Sequence, residues 1–136
     1  MSNISRGTFL TAAESVNANT TKVMNTTGGT DVRCERLRRI AVSLKFTGAN
    51  AGSAGTVTFN FQTKVGDGGW STELITISAS LTATTAVVGI GKIIDVDGFS
   101  SIRLYSVTNA DSTYGLTGVN ADYGKAYGER DLNDGN

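Results

Sequence analysis

Apolar side chains recur at every second position through several stretches of the chain. Ile40, Val42, Leu44 and Phe46 alternate with Ala41, Ser43 and Lys45, and this period of two sends the large groups to one face of an extended strand. After the small, flexible run Gly48 to Gly55, the pattern resumes with Val57, Phe59, Phe61 and Val65 set against Thr58, Asn60, Gln62 and Lys64. Gly66-Asp-Gly-Gly69 is built from residues that tolerate turns, so it predicts a hairpin into the segment from Trp70 to Ser80. There Ile75, Ile77, Ala79 and Leu81 share one parity, while Leu74 falls on the polar parity and suggests a bulge or a second buried face.

Further on, Ala86 to Ile90 and Lys92 to Val96 are short apolar runs, separated by Gly91 or continuous through it, and Asp97-Gly98 ends them. Ile102 to Val107 and Leu116 to Tyr123 are the last predicted strands. The first 30 residues show only weak periodicity, with short strands expected around Thr8–Leu10 and Thr21–Met24. Short strands at roughly 10–15-residue spacing, turn residues in nearly every gap and no helical period predict an all-β fold. The expected architecture is an antiparallel β-sandwich, jelly-roll-like, with extended polar termini. It divides into an N-terminal arm (1–30), a sandwich core (31–124) and an acidic polar C-terminal tail (125–136). The expected core comprises Ile40, Val42, Leu44, Phe46, Val57, Phe59, Phe61, Ile75, Ile77, Ile102 and Leu104.

Composition agrees with this pattern and narrows the chemistry. Gly, Thr, Ser and Asn supply 58 of the 136 residues, about 43%, a vocabulary of turns and strands. A chain of this length buries about two thirds of its extended surface, enough for one core without staples. The 12 acidic and 12 basic side chains cancel, so no whole-molecule field draws in nucleic acid. With no histidine, triads, Cys-His pairs and imidazole zinc ligands are excluded, and the lone Cys34 cannot close an intrachain disulfide. No apolar run is long enough for a membrane helix or a secretory signal, so the chain is expected to be soluble and made in the cytoplasm.

Four local features remain. Asp95 and Asp97 share one side of an extended segment before Gly98, which suits either a hard cation or a strand-ending turn. Arg33, Arg36, Arg38 and Arg39 are four of the seven arginines, interleaved with Asp31 and Glu35. Guanidinium forks suit phosphate, but the acids and the absence of an aromatic platform favour an ion-paired surface or subunit interface. The tail residues Glu129 and Asp131, with Tyr127, are the matching class of partner and complete the candidate interface. Trp70, Tyr105, Tyr114, Tyr123 and Tyr127 could line a sugar platform, or fill the core and subunit contacts. No pair of carboxylates and no base beside Cys34 is singled out, so no catalytic residue, metal or cofactor is assigned and no enzyme is expected.

The phrases VTFNFQTKVGDGGWSTELITIS, KIIDVDGFSSIRLYSVTNA and GLTGVNADYG, from Val57 to Gly124, resemble small all-β structural proteins from tailed-bacteriophage virion gene blocks. The class they most resemble is the capsid decoration (cement) protein. That resemblance implies a virion component on the capsid surface, made in the host cytoplasm, whose partners are the major capsid protein or other virion proteins. The polar N-terminal arm, the arginine cluster with its nearby acids and the hydrophilic tail predict a homo-oligomer, and the resemblance favours a trimer because decoration proteins commonly sit at local threefold positions. Neither nucleic acid nor membrane is an expected partner, and the termini are expected to act as arms whose removal spares the core fold. The alternative is a carbohydrate-binding module or a tail- or fibre-associated adhesin, which would present a solvent-facing aromatic strip. Nucleic-acid binding through the arginines would instead show affinity that falls steeply with salt.

Overall fold

The computed structural model describes residues 3–50, 52–82 and 87–127, and these form ten strands and no helix. The strands are β1 (Asn3–Thr8), β2 (Glu14–Val16), β3 (Thr20–Val23), β4 (Asp31–Arg33), β5 (Arg39–Gly48), β6 (Ala54–Lys64), β7 (Ile75–Thr82), β8 (Val87–Asp95), β9 (Ser101–Asn109) and β10 (Leu116–Tyr127). One sheet runs β1-β10-β5-β8, with β2 also on β10. The other runs β3-β9-β6-β7, with β4 also on β9. All pairings are antiparallel. β1 and β2 lie end to end along the edge of β10 away from β5, and β3 and β4 lie likewise along β9. Treating each such pair as one row gives two four-row sheets, and successive rows alternate between them except at the β6–β7 hairpin. That connectivity is a jelly roll, the expected fold class.

The two-residue period of β5 is realised in full: Ile40, Val42, Leu44 and Phe46 are buried, while Arg39, Ala41, Ser43 and Lys45 are exposed. Val57, Phe59 and Phe61 of β6 face them across the core, and Phe46 meets Phe59 with ring centroids 6.0 Å apart. Every expected core residue is buried except Ile75, which is half-buried and packs on the cluster. In β9, Leu104 and Val107 are both buried although their parities differ. The register explains this, because Asn60 pairs with Ser106 and Phe61 with Leu104, leaving Tyr105 as an extra residue that resets the inward face. Leu74 marks no bulge: it precedes β7 and lies half-buried beside Phe99.

The N-terminal segment departs from its expected role as an arm. β1 and β2 pair with β10, β3 pairs with β9, and Phe9, Leu10, Val16 and Met24 are buried in the core. The Phe9 ring touches Phe61 of one sheet and Tyr123 of the other, with centroids 5.2 and 5.4 Å away. Single apolar residues in an irregular polar stretch suffice here because the strands are only three to six residues long: Val16 ends β2, while Phe9 and Leu10 directly follow β1 and Met24 directly follows β3. At the other terminus β10 runs on through Lys125 to Tyr127, where Asn3 pairs with it. Glu129, Asp131 and the rest of 128–136 lie outside the described residues.

Candidate assembly surfaces

The arginine cluster forms the connection from β4 to β5, and its shape follows from which residues are buried. Val32, Cys34, Leu37 and Ile40 point into the core, so Arg33, Glu35, Arg36, Arg38 and Arg39 project outward between them. Backbone bonds fix the loop: Cys34 N donates to Ser100 O at 2.9 Å, Leu37 N to Cys34 O at 3.1 Å and Val96 N to Arg38 O at 2.7 Å. Arg36 occupies the left-handed region, with φ 69°. Arg33 forms an exposed ion pair with Glu35 at 3.3 Å, a contact of small energetic value in water. Lys125 of β10 donates to the Arg33 carbonyl at 2.9 Å, which brings the end of β10 beside the arginines. β10 therefore ends, at Tyr127, at the arginine end of the sandwich, while the contacts expected of Glu129 and Asp131 lie outside the described residues.

Cys34 is fully buried, and burial pushes its thiol up to about 11, with Lys125 partly opposing the rise and Glu35 adding to it. Its sulfur sits 3.5 Å from the Phe99 carbonyl, so it serves as a small core residue. At Asp95, the carboxylate accepts a bond from Asp97 N at 3.0 Å, and Phe99 N bonds back to Val96 O across Gly98, whose φ of 90° favours glycine. This is a strand-ending turn. Among the described residues no group of three or more His, Cys, Asp or Glu side chains comes together.

Among the described side chains the aromatic residues do not form one strip. Trp70 is half-buried against sheet β3-β9-β6-β7, with the Arg103 guanidinium 4.1 Å and the Lys64 amine 5.0 Å from its ring centroid. Gln62 holds Arg103 through a 2.9 Å bond to Nε and donates to the Ser71 carbonyl at 3.0 Å, so the indole is a clamp on the hairpin loop. Tyr123 instead faces Phe9 in the core, and Tyr114 lies beside Gly52 in the loops at the opposite end.

At that opposite end, in the gap between the last two predicted strands, the structure places a hub. The Asp111 carboxylate accepts from Ala54 N at 2.7 Å, Thr113 N at 2.8 Å and Tyr114 N at 3.0 Å, and these bonds hold its carboxyl below the ordinary value of 3.8. Asn109 adds bonds to the carbonyls of Asn17 and Tyr114. The run Asn109-Ala-Asp111-Ser-Thr113 carries the signal, since Asn and Asp side chains hydrogen-bond backbone two residues on.

No family model matches the sequence, and no curated protein matches it. Among solved structures, a chain of the infectious bursal disease virus Gx strain matches with TM-score 0.57 at 11% identity, covering 95% of this chain and 34% of that one. The VP2 subviral particle of infectious bursal disease virus matches with TM-score 0.51 at 9% identity, covering 91% and 32%. This chain thus spans about a third of the length of those two. The SPBc2 prophage-derived protein YomS aligns over 93% of this chain and 96% of its own with TM-score 0.46 and 14% identity. What the two virus chains share with this one is the fold.

Proposed function

We propose that the chain is a bacteriophage virion structural protein, a capsid decoration subunit that stabilises the head through contacts with the major capsid protein or other virion proteins. The observation that carries this reading is the jelly-roll likeness to virus chains over 91–95% of this chain. The phage-like phrases between Val57 and Gly124 support it independently. A particle coat acts through shape and many repeated weak contacts, so it requires no catalytic base or cofactor. The sugar-platform alternative is not favoured, because Arg103 already stacks on Trp70 and Tyr123 is turned into the core.

The arginine end is the proposed contact surface. Arg33, Arg36, Arg38 and Arg39 are exposed on a loop pinned by buried Cys34 and Leu37, an arrangement that presents guanidinium groups without costing core packing. Glu129 and Asp131 of a neighbouring copy, following Tyr127, are acids of the class these forks pair with. The subunit is proposed to be a homo-oligomer on the capsid surface, three copies being the favoured number.

Undecorated capsids are mixed with the full chain, with a chain lacking residues 128–136, and with an Arg36→Glu/Arg38→Glu double variant, and bound copies are measured after sedimentation. Both changed chains are expected to bind fewer copies. Equal occupancy for all three would remove the arginine end and the tail from the interface. Failure of the full chain to bind any capsid would overturn the decoration reading in favour of the adhesin.

A further inference from the structure

One flank of the sandwich is guarded against pairing with another strand along its whole length, while the other carries one mid-strand charge, Lys92, on the inward parity of β8. On the guarded flank, β1 to β4 are pieces of three to six residues carrying Arg6, Glu14, Lys22, Asp31 and Arg33. Lys22 reaches across to Glu14 at 3.0 Å and clips the two sheets together there. Short edge strands bearing charge are how folded proteins keep an open edge from recruiting a partner. On the opposite flank β7 reads ITISASLT, eight residues without a charge. β8 runs nine residues without a break, and its charges are Lys92 and, at its end, Asp95. β5 takes one edge of β8, and among the described residues no strand takes the other. Between β7 and β8 lies an open groove of about 550 Å³ of mixed lining, with Ile75, Ile77 and Ile94 beside Thr76, Ser78 and Lys92 among others.

The residues of β8 also indicate what covers it. Val88, Ile90, Lys92 and Ile94 pair with the inward positions of β5, so Val87, Gly89, Gly91 and Ile93 face outward. Val87 is 67% and Ile93 63% exposed, high values for apolar side chains on a sheet. A Cβ added at Gly89 or Gly91 would meet nothing within 4 Å. Gly91 is the midpoint of the strand, and an antiparallel pairing centred on it keeps all nine residues of both copies in register. That pairing lays Ile93 of each copy opposite Gly89 of the other, so each exposed isoleucine covers an open glycine. Centring on Lys92 instead would oppose two like charges, and centring on Ile90 would leave the inward Ile94 unpaired. A shift that changes parity would turn the apolar inward set to solvent.

We propose that β8 pairs with β8 of a second copy of this chain, antiparallel about a two-fold axis at Gly91, so that sheet β1-β10-β5-β8 continues across both copies. The contact stands on the strand edge and not on the virion reading. A trimer built through the arginine end would leave it free to join one trimer to the next.

Directly opposed residues in an antiparallel pair have Cα atoms about 4.5–5.5 Å apart, within the range a disulfide spans. Gly91→Cys is therefore expected to form a 91–91 disulfide between copies on mild oxidation of the full chain. Gly89→Cys mixed with Ile93→Cys should cross-link as a heterodimer, while Ile93→Cys alone should not. Native Cys34 is buried and does not compete. By sedimentation the wild-type chain should self-associate, and Ile93→Lys, at an exposed site that leaves the fold intact by circular dichroism, should weaken this roughly tenfold or more. A wild-type chain that stays monomeric at every concentration overturns the proposal. So does an oligomer indifferent to Ile93→Lys, or cross-linking at 93–93 in place of 91–91.

Discussion

Replacing Phe9 with alanine separates a detached arm from a segment that belongs to the core. Phe9 has no exposed surface, and its ring contacts Phe61 at 5.2 Å and Tyr123 at 5.4 Å, one from each sheet. Its backbone is held on both sides, with Phe9 N donating to Ala121 O at 2.7 Å and Thr30 N donating to Phe9 O at 2.8 Å. These bonds leave the backbone little freedom to collapse into the vacated space, so a cavity should persist. Truncating a buried phenylalanine costs about 3–5 kcal/mol, and two edge-on aromatic contacts place this site toward the upper part of that range. At about 2.1 cal/mol/K per residue, unfolding 136 residues carries an entropy of about 0.29 kcal/mol/K, so a loss of about 4 kcal/mol lowers Tm by roughly 14 °C. Thermal unfolding followed by far-ultraviolet circular dichroism, with urea titration alongside, measures both quantities. A loss below about 1 kcal/mol, or a Tm drop under about 3 °C, would show that residues 3–10 do not pack as described. By the same logic, deleting residues 1–30 should prevent folding, because it strips β1, β2 and β3 from the edges of β10 and β9.

Gly29→Ala should destabilise by about 1–3 kcal/mol in urea unfolding, since an added Cβ would lie 2.5 Å from the Met24 carbonyl oxygen and 2.9 Å from the Asn25 Cα, backbone atoms that cannot swing away; an unchanged midpoint would refute that approach. Cys34, with its thiol near 11 and no exposed surface, should resist alkylation at pH 8 in the folded chain and react with one equivalent only after unfolding. Asp111 has its carboxyl lowered by backbone N–H bonds, so the stability it contributes is complete above the ordinary carboxylate value and disappears as pH falls through the lowered folded value. Asp111→Asn should therefore be less stable than the wild type at pH 7, with the difference shrinking below about pH 4, and parallel Tm profiles from pH 7 to pH 2 would contradict this.

Alternation and turn chemistry determined the all-β class, the β5 and β6 core faces and the β6–β7 hairpin, because burial of one sheet face imposes a period of two on the residues that make it. The turn at Gly98 and the outward arginines were legible for the same local reason: each depends on residues within a few positions of one another. What the sequence could not reveal was long-range. Phe9, Leu10, Val16 and Met24 are isolated apolar residues in a polar stretch, and they count as core only because β10 and β9 bring pairing edges to them from about a hundred residues away. The extra residue at Tyr105 reverses the parity of β9 through its register with β6, which no window on β9 alone contains. Asp111 became a hub because Ala54, fifty-seven positions earlier, presents its N–H to the carboxylate. The open flank is likewise a tertiary fact: the uncharged composition of β7 and the glycines of β8 were visible from the start, but only sheet order makes those strands edges, and only an edge has backbone groups left to pair.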